Sequence, residues 1–215
     1  MLFLVGVPMK TYVYVDAFNL YFGCCKGTPY KWLDISKLCG FLVPGHSVER
    51  IKYFTARIQP RPGDPGQPMR QLMYLRALRT IPHLEIHLGH FLTHPGFLPL
   101  VHPIPGMNPY VEVFKTEEKG SDVNLATHLI NDAHLNRFEQ AVVISGDSDL
   151  GCPVQIVSKE LHKPVGVLNP QKKDCVVLIK TATFYKPIRQ GVLAASQFPA
   201  TLTDAEGTFT KPATW

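Results

Sequence analysis

Three short stretches of this chain carry oxygen-bearing side chains in patterns that could do chemistry. Asp16 is followed one helical turn later by Asn19, Asp122 follows Lys119-Gly120, and Asp147 and Asp149 sit within Ser145-Gly146-Asp147-Ser148-Asp149-Leu150. Any one of these aspartates could simply cap a helix, accepting from orphan N–H groups for about 0.5–2 kcal/mol. Three such places converging on one crevice would mean more. Uncompensated carboxylates in a shared cleft repel and raise one another's pKa values, and a divalent cation removes that penalty. Oxygen-only donors favour Mg²⁺ or Mn²⁺ over zinc. A cation held by a few carboxylates and keeping several waters suits phosphoryl chemistry, because it polarises a phosphoryl oxygen and lowers the pKa of a bound water.

Convergence depends on the elements that carry these residues. Val142-Val143-Ile144 is a short unbroken apolar run ending in a glycine turn, the pattern of a strand buried on both faces of a parallel sheet. The turn after it should lie at the carboxyl edge of the sheet, where open α/β folds bind ligands. Residues 10–15, β-branched and aromatic, read as a strand that ends at Asp16, with a short helical segment following through Phe22. A helix over 34–42 has Asp34 at its N-cap, and 48–56 is the next strand. The Pro/Gly-rich 59–67 is a loop, 68–80 a basic amphipathic helix, and 83–91 a strand. Residues 93–108, rich in Pro, Gly and His, are expected to be an irregular excursion before an extended return over 110–115. The strongest helical periodicity runs over 121–136, placing Asp122 in a first turn. A helix to about 161, a strand at 165–168 and a short helix over 173–180 complete the alternation. The β-then-α order predicts a three-layer α/β/α sandwich with a mainly parallel central sheet. Residues 1–9 read as an N-terminal extension, with Met9 a candidate start. Beyond Pro187 the residues are small, polar and poorly periodic, so 188–215 is expected to be a surface tail.

Composition narrows the classes. The chain has 215 residues and a formal net charge of +5, enough for one α/β domain with a proper core. That charge permits a polyanionic partner without demanding one. Five cysteines, odd in number and without paired spacing, argue for free thiols and a cytoplasmic setting. No stretch is long and apolar enough to span a bilayer. Neither Gly-rich nucleotide fingerprint follows a strand, no nucleophile elbow is present, and the histidines around 83–94 lack the paired cysteines a structural zinc site prefers.

Substrate contacts are less sharply marked. Lys119 and Ser145 flank the acidic motifs, and Arg57, Arg61, Arg70, Arg76 and Arg79 surround the Pro/Gly loop and the helix after it. Phosphate binding would use such residues, although solvated helix faces carry them too. Phe18, Tyr21 and Phe22 beside the first aspartate could stack on the bases of a single strand or serve as core packing.

Val-Asp-Ala-Phe-Asn-Leu-Tyr at 15–21, Lys-Gly-Ser-Asp-Val at 119–123 and Ser-Gly-Asp-Ser-Asp-Leu at 145–150 together resemble the NYN domain, a PIN-like nuclease family also called LabA-like. The resemblance covers residues 10–187. It implies a PIN-like fold and a divalent-metal site built on Asp16, Asp122, Asp147 and Asp149 with Asn19 in support. It also implies cleavage of RNA, with a single strand as the expected substrate. Leu150 stands where family members often have Phe. The same chemistry could act on DNA, and a non-catalytic RNA-binding or regulatory module could keep the fold. Concentrated negative charge beside phosphates disfavours a pure binder. A homodimer and a regulatory protein partner stay open at this level.

Overall fold

The computed structural model describes residues 9–60 and 63–215; the expected N-terminal extension over 1–8, and Arg61, lie outside the described residues. The chain forms a seven-stranded sheet in the order β4-β3-β2-β1-β5-β6-β7. Its strands are β1 (Lys10–Asp16), β2 (Ser47–Ala56), β3 (Leu84–Pro99), β4 (Tyr110–Lys119), β5 (Gln140–Ile144), β6 (Val165–Asn169) and β7 (Phe184–Pro187). Every pairing is parallel except β3 with β4. The helices α1 (Ala17–Leu20), α2 (Ile35–Leu42), α3 (Gln67–Arg79), α4 (Ser121–His134), α5 (Gly151–Gln155), α6 (Val176–Thr181) and α7 (Gln190–Ala195) fill the connections. This is the expected mainly parallel α/β/α sandwich.

Alternation along β1 divides the core in two. Val13 and Val15 point to the side packed by α2 and α3, with Trp32, Leu38 and Leu75. Tyr14 points to the side packed by α4 and α5, with Phe54, Leu125, Leu129 and Val154. Central strands buried on both faces explain the unbroken apolar run of β5, in which all five residues are buried. The chain leaves β1 for β2 on one side and later returns to β5 on the other. The carboxyl ends of β1 and β5 therefore flank the point where strand order reverses, which is where a crevice opens.

Two expectations are corrected. Residues 93–108 are not an irregular excursion. β3 runs on to Pro99 and pairs antiparallel with β4 over ten residue pairs, from His90↔Lys119 to Pro99↔Tyr110. β2 pairs with β3 only as far as Gly89, so the outer half of β3 keeps one edge open. Pro95 and Pro99 are tolerated because an open edge needs no N–H donor. Nor is 188–215 a loose surface tail. It contains α7 and the hairpin β8 (Thr201–Asp204) and β9 (Gly207–Thr210), and Leu193, Phe198 and Phe209 are buried. Arg76 of α3 clamps the hairpin with a bidentate bond to Asp204 at 2.7 and 2.6 Å while its guanidinium lies 4.3 Å from the Phe209 ring. A few anchors spaced far apart leave no periodicity to read.

Candidate active site

Three elements deliver one carboxylate each to the crevice. Asp16 ends β1 and caps α1, its Oδ1 accepting from the Asn19 backbone N–H at 2.9 Å. Asp122 sits in the first turn of α4. Asp147 caps the short 3₁₀ turn over Ser148–Leu150 that follows β5. One oxygen from each of Asp16, Asp122 and Asp147 lies within 4.8 Å of the other two. α4 starts at that point because Gly120 adopts φ +95°, a left-handed turn that side chains disfavour. Glu118 then accepts from the N–H and the hydroxyl of Ser121 at 3.2 and 2.6 Å, fixing the first turn.

The electrostatics of this cluster are unbalanced. Asp16 is 4% exposed, and its Oδ2 accepts one further hydrogen bond, from the Ser145 hydroxyl at 2.9 Å. Burial, reinforced by the charges of Asp122 and Asp147, pushes its pKa up to about 7 despite the bonds from Asn19 and Ser145. Asp122 is raised as well, by burial and then by Asp147, Glu118 and Asp149. Among the described residues no cation contacts any of the three carboxylates. Oxygen donors short of positive charge, one buried and two half-buried, fit a hard divalent ion, and the cluster could hold one.

A second layer holds the loop after β5. The Asn19 side-chain oxygen accepts from Gly146 N–H and from Gln171 Nε2, both at 2.9 Å, so Asn19 ties α1 to the loop after β5. Asn169 at the end of β6 accepts from Gln171 N–H at 2.9 Å and donates to the carbonyls of Gln171 and Lys173. Gly146 has no room for a side chain: a Cβ there would stand 2.4 Å from Asn169 Oδ1. Asn169 and Gln171 escaped the sequence reading, since neither belongs to an acidic motif. The one available signal was Asn169-Pro170 directly after a predicted strand.

The remaining residues singled out from the sequence are placed as follows. Asp149 is exposed beyond the three clustered carboxylates, and its N–H donates to Asp147 Oδ1 at 3.0 Å. Ser145 is fully buried and bridges Asp16 to the N–H of Asp147. Arg70 lines a cavity of about 700 Å³ that also contains Asp16, Asp122 and Asp147. Its guanidinium is paired with Asp64. Arg57 is exposed and lies outside that lining. Lys119 is drawn 2.8 Å from Glu117 and belongs to the face of β4 opposite Glu118, which does line the cavity. Successive strand residues face opposite ways, so Lys119 turns from the crevice. Phe18, Tyr21 and Phe22 form cavity walls with Ile58, Tyr74, Phe91 and Trp215, and Lys31 is a second cation in the lining. Among the described residues no helix is long and apolar enough to cross a membrane.

Comparison with known proteins agrees with this architecture. The NYN domain model matches residues 10–186, and the chain belongs to that family of PIN-like nuclease folds. It is also 30% identical, over 97% of its own length and 76% of the relative's, to the 6-hydroxy-3-succinoylpyridine 3-monooxygenase HspA of Pseudomonas putida. A crystal structure of a protein of unknown function from Vibrio parahaemolyticus shares the fold. It has a TM-score of 0.56 and 20% identity, and the match covers 86% of this chain and 96% of that one.

Proposed function

We propose that the protein is a divalent-metal-dependent nuclease, an endoribonuclease acting on single-stranded RNA. The observation that carries this reading is the cluster of Asp16, Asp122 and Asp147, buried at one end and without a cationic partner. These three would hold Mg²⁺ or Mn²⁺, with Asp149 adding negative charge at the rim. When bound, such an ion polarises a phosphoryl oxygen and lowers the pKa of a water beside it. Ser145 fixes the Asp16 carboxylate, and Asn19 with Gln171 fixes the Gly146 backbone, so the donors stand ready rather than being gathered at each turnover. Lys31 supplies positive charge for phosphates that enter the cavity, and Arg70 does so where a phosphate displaces Asp64, while Phe18, Tyr21 and Phe22 offer ring faces on which an unstacked base can rest.

The test is incubation of the purified protein with labelled single-stranded RNA and matching DNA, with Mn²⁺, Mg²⁺ or chelator, beside Asp147→Asn. Metal-dependent cleavage of RNA in preference to DNA, lost in the variant, is the expected result. Equal cleavage of both would make it a DNA-competent nuclease. Absence of metal binding by calorimetry would overturn the metal mechanism and favour a binding module.

One observation supports a second reading. The cavity joins the carboxylates to an aromatic-walled space of a volume typical for small molecules, and the relative HspA is named for action on a hydroxylated pyridine with an acidic side chain. A hydroxylated aromatic heterocycle could lie between Phe18 and Trp215 with its acid toward Lys31 or Arg70. Saturable quenching of tryptophan fluorescence by such a compound, with no cleavage of RNA or DNA, would favour it.

A further inference from the structure

The β3–β4 ribbon beyond Gly89 has no part in the metal site except at its root, where Phe91 and Glu118 meet the cavity. Ten pairs at about 3.4 Å per residue make it roughly 34 Å long. It exposes an unusual set of side chains: Phe114 is 82% exposed, Val101 at the tip 89%, Phe97 66% and Met107 64%. A two-stranded ribbon standing alone in water is marginally stable. The outer edge of β4 is also unpaired among the described residues, and every second residue of such an edge turns its N–H and C=O outward.

We propose that this ribbon is a dimerisation arm whose occupant is a second copy of the same chain, with the two β4 strands paired antiparallel across a two-fold axis. Charge separates a protein partner from a nucleic acid. Residues 90–119 contain two lysines against three glutamates and no arginine, a balance of −1 with histidine neutral. A phosphate-binding surface would be basic.

Self-complementarity then selects the second copy. Lys115, Glu117 and Lys119 alternate in sign along one face of β4, where Glu117 pairs with both lysines of its own strand and can exchange Lys115 for the one opposite. An antiparallel pairing centred on Thr116 sets Lys115 of each copy opposite Glu117 of the other, two reciprocal pairs from one strand, as an isologous interface requires. The same register carries each tip past the end of the other copy's β4 toward the first turn of its α4. Val123, 69% exposed, waits there for an apolar cover.

The test is the mass of the full chain in solution by light scattering and sedimentation, over about 1–100 µM. The expected wild-type mass is twice 24.1 kDa. Lys115→Glu and Glu117→Lys alone should each weaken the dimer at least ~10-fold by opposing like charges, and the two together should restore it. Ile104→Glu with Met107→Glu at the tip should also yield monomer. Lys115, Ile104 and Met107 are exposed and Glu117 is half-buried, and an unchanged circular dichroism spectrum confirms folding. A monomer across the range, or a dimer indifferent to every ribbon variant, would overturn the proposal. So would a monomer whose RNA affinity falls with Phe97→Ala or Phe114→Ala, since the ribbon would then belong to the substrate.

Discussion

The same two elements, β1 and α4, bury two carboxylates in opposite circumstances. Asp132, near the end of α4, is fully buried and accepts from Tyr14 of β1 at 2.7 Å, from Arg137 at 2.9 Å and from the buried ammonium of Lys52. Its burial works against the charged form, yet those three donors hold its pKa below the usual carboxylate range. Two residues beyond Tyr14 on the same strand, Asp16 is nearly as buried. It has one hydroxyl and one backbone N–H, and two more carboxylates beside it. A scaffold that can supply Lys, Arg and Tyr to one aspartate and withholds them from the next leaves the second open to a cation from outside. Buried ion pairs are weak evidence of function, whereas a buried carboxylate in a cleft with no cation opposite it is a functional-site candidate.

The comparison breaks first, and hardest, at Asp132. Asp132→Ala strands Lys52, 5% exposed, without its counter-ion, and removing one member of a buried pair should destabilise the fold by about 3–5 kcal/mol. Urea denaturation would read this as a lower midpoint at unchanged slope. Asp16→Ala should instead leave stability level or raise it while ending metal binding. A large loss of stability at Asp16 would erase the distinction.

The two carboxylates should also pull stability in opposite directions with pH. Asp16 binds its proton more tightly folded than unfolded, since its pKa rises to about 7 from 3.8. Its contribution is therefore fully present below about pH 4 and is lost as pH rises through 7, on the order of 2–4 kcal/mol in metal-free protein. Asp132, with its pKa lowered, contributes above its unfolded pKa and loses that contribution as pH falls through its folded value. Melting in chelator at pH 5.5 and pH 8 should show the Asp16 loss. Mn²⁺ at about 100 times its Kd should return about 2.7 kcal/mol at pH 8. In Asp16→Asn both the pH slope and the metal response should vanish.

Gly146 sharpens the comparison from the backbone side. Gly146→Ala forces a Cβ to within 2.4 Å of Asn169 Oδ1 and 2.8 Å of Gln171 Cγ. The overpacking should cost about 1–3 kcal/mol, and metal affinity should fall with it, measured by calorimetry. Unchanged affinity would show that the loop after β5 holds Asp147 without that close approach.

These contrasts were unequally legible in the chain. The convergence of Asp16, Asp122 and Asp147 could be read because each closes a strong local signal and parallel topology sends all three to one edge. The apolar run of β5 gave away its burial for the same reason. No local pattern marks Asp132, because its partners Tyr14 and Lys52 come from strands 118 and 80 positions away. The ribbon was hidden by Pro95, Gly96 and Pro99, which argue against a strand unless an edge is known to be open. The packed C-terminal segment hangs on Leu193, Phe198 and Phe209, three anchors too scattered to form a pattern. Lys119 sits next to the acidic motif in sequence, and strand alternation alone turns it away.

Gln171 offers the finest probe, because it touches no carboxylate. Its amide donates to both the backbone and the side-chain oxygen of Asn19, at 3.1 and 2.9 Å, and Asn19 in turn accepts from Gly146 N–H. Gln171→Ala removes two hydrogen bonds at the rim and should cost about 1 kcal/mol of stability. If the loop is held in place through Asn19, metal affinity or turnover should fall roughly 10-fold, the usual size of an effect transmitted through supporting hydrogen bonds. Gln171→Glu, which retains the shape and loses the amide donor, should match Ala in that respect, with added negative charge near the crevice. A Gln171→Ala protein that binds Mn²⁺ as wild type does would mean that Ser145 alone, with its bonds to Asp16 and Asp147, suffices to organise the site.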